Sequence, residues 1–100
     1  MKEYRIILQP QFLEELDSIL YFFRNTYTDK RKLYTEIRNT VFSLSIFPER
    51  YTIIDNNLKA ADIRKLPINK FIVIYQVDNE KGEVYILHIF SEKQNYSNQI

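Results

Sequence analysis

The chain has 100 residues, 45% of them hydrophobic and 27% charged, which suits one globular domain over residues 1–100 and excludes a disordered tail or a fibre. One Gly leaves no Gly-rich phosphate loop, and no Cys with one His removes disulfides, thiol catalysis and most metal constellations, so no metal or cofactor is expected. Lys+Arg 14 against Asp+Glu 13 gives a net charge of +1, so any nucleic-acid contact has to come from a local patch.

In chain order, Met1 to Arg5 leads into only three apolar residues, which does not read as a signal peptide. Tyr4 to Leu8 reads as an opening strand. Pro10 suits the first turn of a helix, where a missing N–H costs nothing, and Glu14, Glu15 and Asp17 put negative charge in its early turns. Phe12, Leu13, Leu16, Ile19, Leu20, Phe23 and Tyr27 fall at helical spacing and predict a helix from Pro10 to about Asn25. After a break at Thr26–Asp29, Leu33, Ile37, Val41 and Leu44 form a second stripe, stopped by Pro48, and the two helices should make an antiparallel hairpin.

From Pro48 to Asp62 the pattern is irregular, with a turn expected at Asn56-Asn57. Ile63 to Ile68 predicts a short strand, placed near an edge or a bulge because Pro67 interrupts it. Phe71 to Val77 and Val84 to Phe90 are apolar on both faces, as buried strands are, and are joined by a loop with the sole Gly at Gly82. The order β-α-α-β-β-β predicts an α+β domain, with the helical hairpin packed on an antiparallel four-stranded sheet. No apolar stretch approaches the ~20 residues of a membrane span, and the lack of Cys fits a reducing cytoplasm.

A basic cluster, Lys59, Arg64, Lys65 and Lys70, precedes and enters the sheet, with Asp62 as its local counter-charge. Arg64 and Lys65 should point to opposite faces of their strand. Arg64 can hold a phosphate or carboxylate through its guanidinium fork, or close a salt bridge to Asp62 or Glu92. Ser91 to Tyr96 places a cation, a carboxylate and a phenol at a strand exit, an acid–base set or a polar tail. Lys30-Arg31-Lys32 opens the second helix at the end where the dipole disfavours cations, which suits an acidic partner or RNA as well as a solvated face. His88, in register with Val84, Ile86 and Phe90, reads as a hydrogen-bonded sheet residue before a catalytic one. No Ser-His-Asp set can be assembled around it.

The ordered series Phe47-Pro48-Glu49-Arg50-Tyr51, Ile63 to Ile68, Phe71 to Asp78, Val84 to Phe90 and Lys93-Gln94-Asn95 resembles the RelE/ParE superfamily of bacterial toxins across nearly the whole chain. The resemblance implies a cytoplasmic growth-inhibiting toxin in a hetero-oligomer with its antitoxin. Tyr4, Tyr27, Tyr34 and Tyr51 are contact residues to consider on that surface. It also implies one of two targets, ribosome-bound mRNA, which RelE-like members cleave through attack of the RNA 2′-hydroxyl, or DNA gyrase, which ParE-like members bind and block. For a nuclease it implies Arg64 and Lys93 at the phosphate, Tyr96 in proton transfer or base stacking, and Lys59, Lys65 and Lys70 along the RNA. Two positions depart from the nuclease pattern: Ile72 stands where many members have arginine, and Ser91 where several have His or Tyr. A degenerate toxin that only pairs with its antitoxin is the remaining alternative.

Overall fold

The computed structural model describes residues 3–22, 30–55 and 62–92. Its elements are β1 (Arg5–Leu8), α1 (Pro10–Phe22), α2 (Lys30–Phe42), two short 3-10 turns (Ser43–Ser45 and Pro48–Arg50), β2 (Thr52–Asp55), β3 (Asp62–Ile68), β4 (Phe71–Asp78) and β5 (Glu83–Ser91). Helix α1 starts at Pro10 as its sequence requires, with the Gln9 carbonyl accepting the Leu13 N–H at 3.1 Å. Phe12, Leu16 and Leu20 recur every four residues and form its buried stripe, and Leu33, Ile37 and Val41 do the same for α2.

Pro48 does not stop α2, which ends at Phe42. Thr40 and Ser43 turn their hydroxyls back onto the carbonyls of Glu36 (2.8 Å) and Thr40 (2.5 Å), and the chain tightens into the first 3-10 turn. Pro48 instead opens the second turn, behind Phe47 in the left-handed region (φ 56, ψ 59). A Phe there is strained, by about 1–2 kcal/mol.

The sheet has five strands in the order β1-β5-β4-β3-β2, and it is mixed. Two expectations are corrected here. Thr52–Asp55, read as irregular, pairs antiparallel with β3 as a short edge strand. The opening strand lies parallel to β5, with Arg5 opposite Glu83 and Leu8 opposite Ile86. No hairpin links β1 to β5, so no turn dictates an antiparallel partner, and apolar patterning carries no strand direction. Pro67 finds its edge inside β3: β2 reaches only Lys65, so the missing N–H falls where β3 has no outer neighbour.

Both helices pack on one face of the sheet, against Leu66, Phe71, Val73, Tyr75, Val84, Ile86 and their neighbours. A smaller cluster of Ile63, Ile74 and Phe90 lies on the other face, joined by Ile54, Ile72 and Leu87. This is why β4 and β5 read as apolar on both sides. A bulge corrects the register of His88: Tyr75 pairs with Ile86 but Ile74 with His88, so Leu87 is the extra residue. His88 therefore shares the far face with Phe90, on which it stacks (centroids 5.5 Å apart), and not with Val84 and Ile86.

Candidate functional site

Arg64 lies opposite Tyr75 on β4 and Ile53 on β2, on the helix-covered face of the sheet. Its Nε and Nη2 donate to the two carboxylate oxygens of Asp62 at 2.6 and 3.2 Å, and its Nη1 donates to the carbonyls of Glu49 (2.7 Å) and Tyr51 (2.6 Å). The Arg64 side chain is only 11% exposed. Beside it, the buried Tyr75 hydroxyl donates to the Pro48 carbonyl at 2.5 Å. Two side chains from adjacent strands thus take the carbonyls of Pro48, Glu49 and Tyr51, and Arg50 closes the segment by donating to Ser43 Oγ at 2.6 Å. This clamp fixes the turn that holds Phe47 in its strained conformation, and it uses the guanidinium fork for structure.

Burial pushes the Tyr75 phenol well above its ordinary value of 10.0. The Arg64 charge opposes this, and Asp62 and Tyr51 add to it. The Tyr4 phenol is raised by burial and by Glu49 and Asp62, and Tyr85 by its hydrogen bond to Glu83. A phenol with a raised folded pKa holds its proton while the unfolded chain loses its own, so its stabilisation is complete below pH 10 and declines as pH rises past that value. Chemical denaturation at a series of pH values is expected to show this alkaline decline, and Tyr75→Phe is expected to flatten part of it, leaving the share of Tyr4 and Tyr85. An unchanged profile in the variant would contradict the assignment to Tyr75.

Of the other expected site residues, Lys65 and Lys70 are among those described. Lys65 lies opposite Ile74, on the far face from Arg64, and Lys70 is exposed in the turn between β3 and β4. Its carbonyl accepts the Glu92 N–H at 2.8 Å. Lys59, Lys93, Tyr96 and the expected contact residue Tyr27 lie outside the described residues, as does the turn expected at Asn56-Asn57. Among the described residues no buried side-chain polar atom lacks a partner, and no cluster of three or more His, Asp or Glu is arranged to hold a metal.

A second polar site went unread in the sequence. β1 stops at Ile86 of β5, which leaves the outer edge of β5 open beyond it. Glu15 on α1 fills that gap: its Oε1 accepts the Ile89 N–H at 3.2 Å and lies 3.1 Å from His88 Nδ1. Glu15 and Ile89 border an open hollow of about 250 Å³, with Gln11, Glu14, Ser18, Ile19 and Phe90. At the other end of β5, Glu83 accepts from Tyr85 Oη at 2.5 Å and from Arg5, which ties β1 to its neighbour. Both contacts hold the Glu83 carboxyl below its usual range.

The described residues contain no helix long and apolar enough to cross a membrane. A search of curated protein sequences found no match. Among solved structures, the chain is similar to the chromosomal ParDE system of P. aeruginosa (16% identity, TM-score 0.71, 91% of this chain and 98% of that one). It is also similar to the RelBE2 toxin–antitoxin complex of Mycobacterium tuberculosis (17%, TM-score 0.65, 91% and 93%). A third likeness is to the archaeal RelE–RelB complex of Pyrococcus horikoshii (19%, TM-score 0.60, 94% and 99%). At these identities the likeness is one of fold. The family profile described as "ParE toxin of type II toxin-antitoxin system, parDE" matches residues 6–96, and over that span, nearly the whole chain, the protein belongs to the ParE family of the RelE/ParE superfamily of toxins.

Proposed function

We propose that this toxin arrests growth by binding DNA gyrase in the cytoplasm, without chemistry of its own, and that a cognate antitoxin neutralises it by covering its surface. The observation that carries the choice of target is Arg64. A nuclease needs its cations turned towards the scissile phosphate around one point, whereas this guanidinium donates to Asp62 and to two carbonyls of its own chain. Ile72, at the position where many nucleases of the superfamily have arginine, packs instead against the far-face apolar cluster. A net charge of +1 points the same way, since contact with ribosome-bound mRNA draws on a strongly basic surface. The similar structure from M. tuberculosis is a toxin–antitoxin complex and that from P. horikoshii a RelE–RelB complex, which supports an antitoxin partner here.

Purified protein is expected to inhibit gyrase supercoiling of plasmid DNA and to leave transcripts intact in a translation extract. Normal supercoiling at saturating protein, together with codon-phased mRNA cuts lost in Lys93→Ala or Tyr96→Phe, would overturn the gyrase reading in favour of the nuclease. Neither effect from folded protein would leave antitoxin pairing as the sole activity.

A further inference from the structure

The two helices repeat one surface pattern. In α1 the residues that follow the buried Phe12, Leu16 and Leu20 are Leu13, Asp17 and Tyr21. In α2 the residues that follow the buried Leu33, Ile37 and Val41 are Tyr34, Arg38 and Phe42. Steps of four residues stack each triplet into a single stripe along its helix. Both stripes are open to solvent, with Leu13 46%, Tyr21 65%, Tyr34 44% and Phe42 41% exposed. Each has a charge between two large apolar groups, negative on α1 and positive on α2.

The charges around the stripes match that polarity. α1 carries three carboxylates and no cation, and α2 carries four cations and one carboxylate. Asp17 and Arg38 make no ion pair among the described residues, and the Arg38 guanidinium rests over the Phe42 ring, 5.5 Å from its centroid. An acidic foreign segment suits α2 and is repelled by α1, and a basic one the reverse. A second copy of this chain offers both complements at once.

We propose that the α1 stripe of one protein docks on the α2 stripe of a second copy, with Asp17 against Arg38 and the apolar residues packing on either side. An exposed ion pair adds little affinity, so Asp17 and Arg38 set register and partner choice while the flanking rings and Leu13 supply contact area. The resulting association is weak and sensitive to salt. It does not rest on the gyrase reading, because its readout is mass alone.

Sedimentation velocity over a concentration series is expected to show a species heavier than the monomer, whose share falls as salt is raised from about 20 mM to about 0.5 M. Asp17→Arg and Arg38→Asp are each expected to weaken self-association by about tenfold or more, and the double reversal to restore it. Both positions are exposed, and far-UV circular dichroism checks that the variants fold. A monomer at every concentration in low salt would overturn the proposal. So would self-association that neither reversal weakens, or that the double reversal leaves broken. Single reversals that spare self-association but abolish binding of the purified cognate antitoxin would assign the face to that partner instead.

Discussion

Arg64→Ala is expected to lower the unfolding free energy by about 2–4 kcal/mol, read as a shifted midpoint in urea denaturation followed by far-UV circular dichroism. Breaking one partner out of a buried ion pair costs about 3–5 kcal/mol, and the range is set lower here because the Asp62 side chain is 24% exposed. The variant leaves the Asp62 carboxylate without its fork and frees the carbonyls of Glu49 and Tyr51. Arg64→Lys is expected to recover part of the loss, since an ammonium restores the charge but cannot span a carboxylate and two carbonyls from one plane. A change below about 0.5 kcal/mol in Arg64→Ala would refute the structural role. The same experiment bears on function: a loss of toxicity in Arg64→Ala that tracks the loss of folded protein is what a clamp predicts and a phosphate ligand does not.

Phe12→Ala is expected to cost about 3–5 kcal/mol, the range for emptying a buried aromatic site. Phe12 is 1% exposed and sits in the first turns of α1, within the main core cluster beneath the helices. Its neighbour Leu13, at 46% exposed, is the internal control and is expected to cost less than about 1 kcal/mol as alanine. A 100-residue domain has about 5–15 kcal/mol in all, so the Phe12 variant is expected to lose a large fraction of it and to melt roughly 15–25 °C lower. Equal effects at the two positions would mean that α1 does not dock by the stripe described.

The elements that were legible are those whose signal is local. Pro10 opens α1, and the four-residue recurrence of Phe12, Leu16 and Leu20, then of Leu33, Ile37 and Val41, marks the buried helix faces. Strands β4 and β5 were legible because they are apolar on both sides, and strand alternation sends Arg64 and Lys65 to opposite faces. The series running from Phe47-Pro48 to Val84–Phe90 carried the superfamily resemblance. The end of α2 was misread because Pro48 is a strong punctuation mark, whereas the hydroxyls of Thr40 and Ser43 act through geometry that residue type does not announce.

The sequence by itself therefore determined the α+β class, the two amphipathic helices, the buried strands and the toxin superfamily, all of which are written in periodicity and residue order. Tertiary structure decided that β1 runs parallel to β5, that β2 exists, and that a bulge at Leu87 turns His88 to the far face. It also decided the partners of Arg64, whose carbonyl acceptors lie 15 and 13 residues away along the chain. Periodicity states which face a side chain takes but not which strand lies beside it, and a guanidinium fork can donate to a phosphate or to backbone carbonyls. The fold brings the segment from Phe47 to Tyr51 over Arg64, and the Glu49 and Tyr51 carbonyls there accept its Nη1 donors.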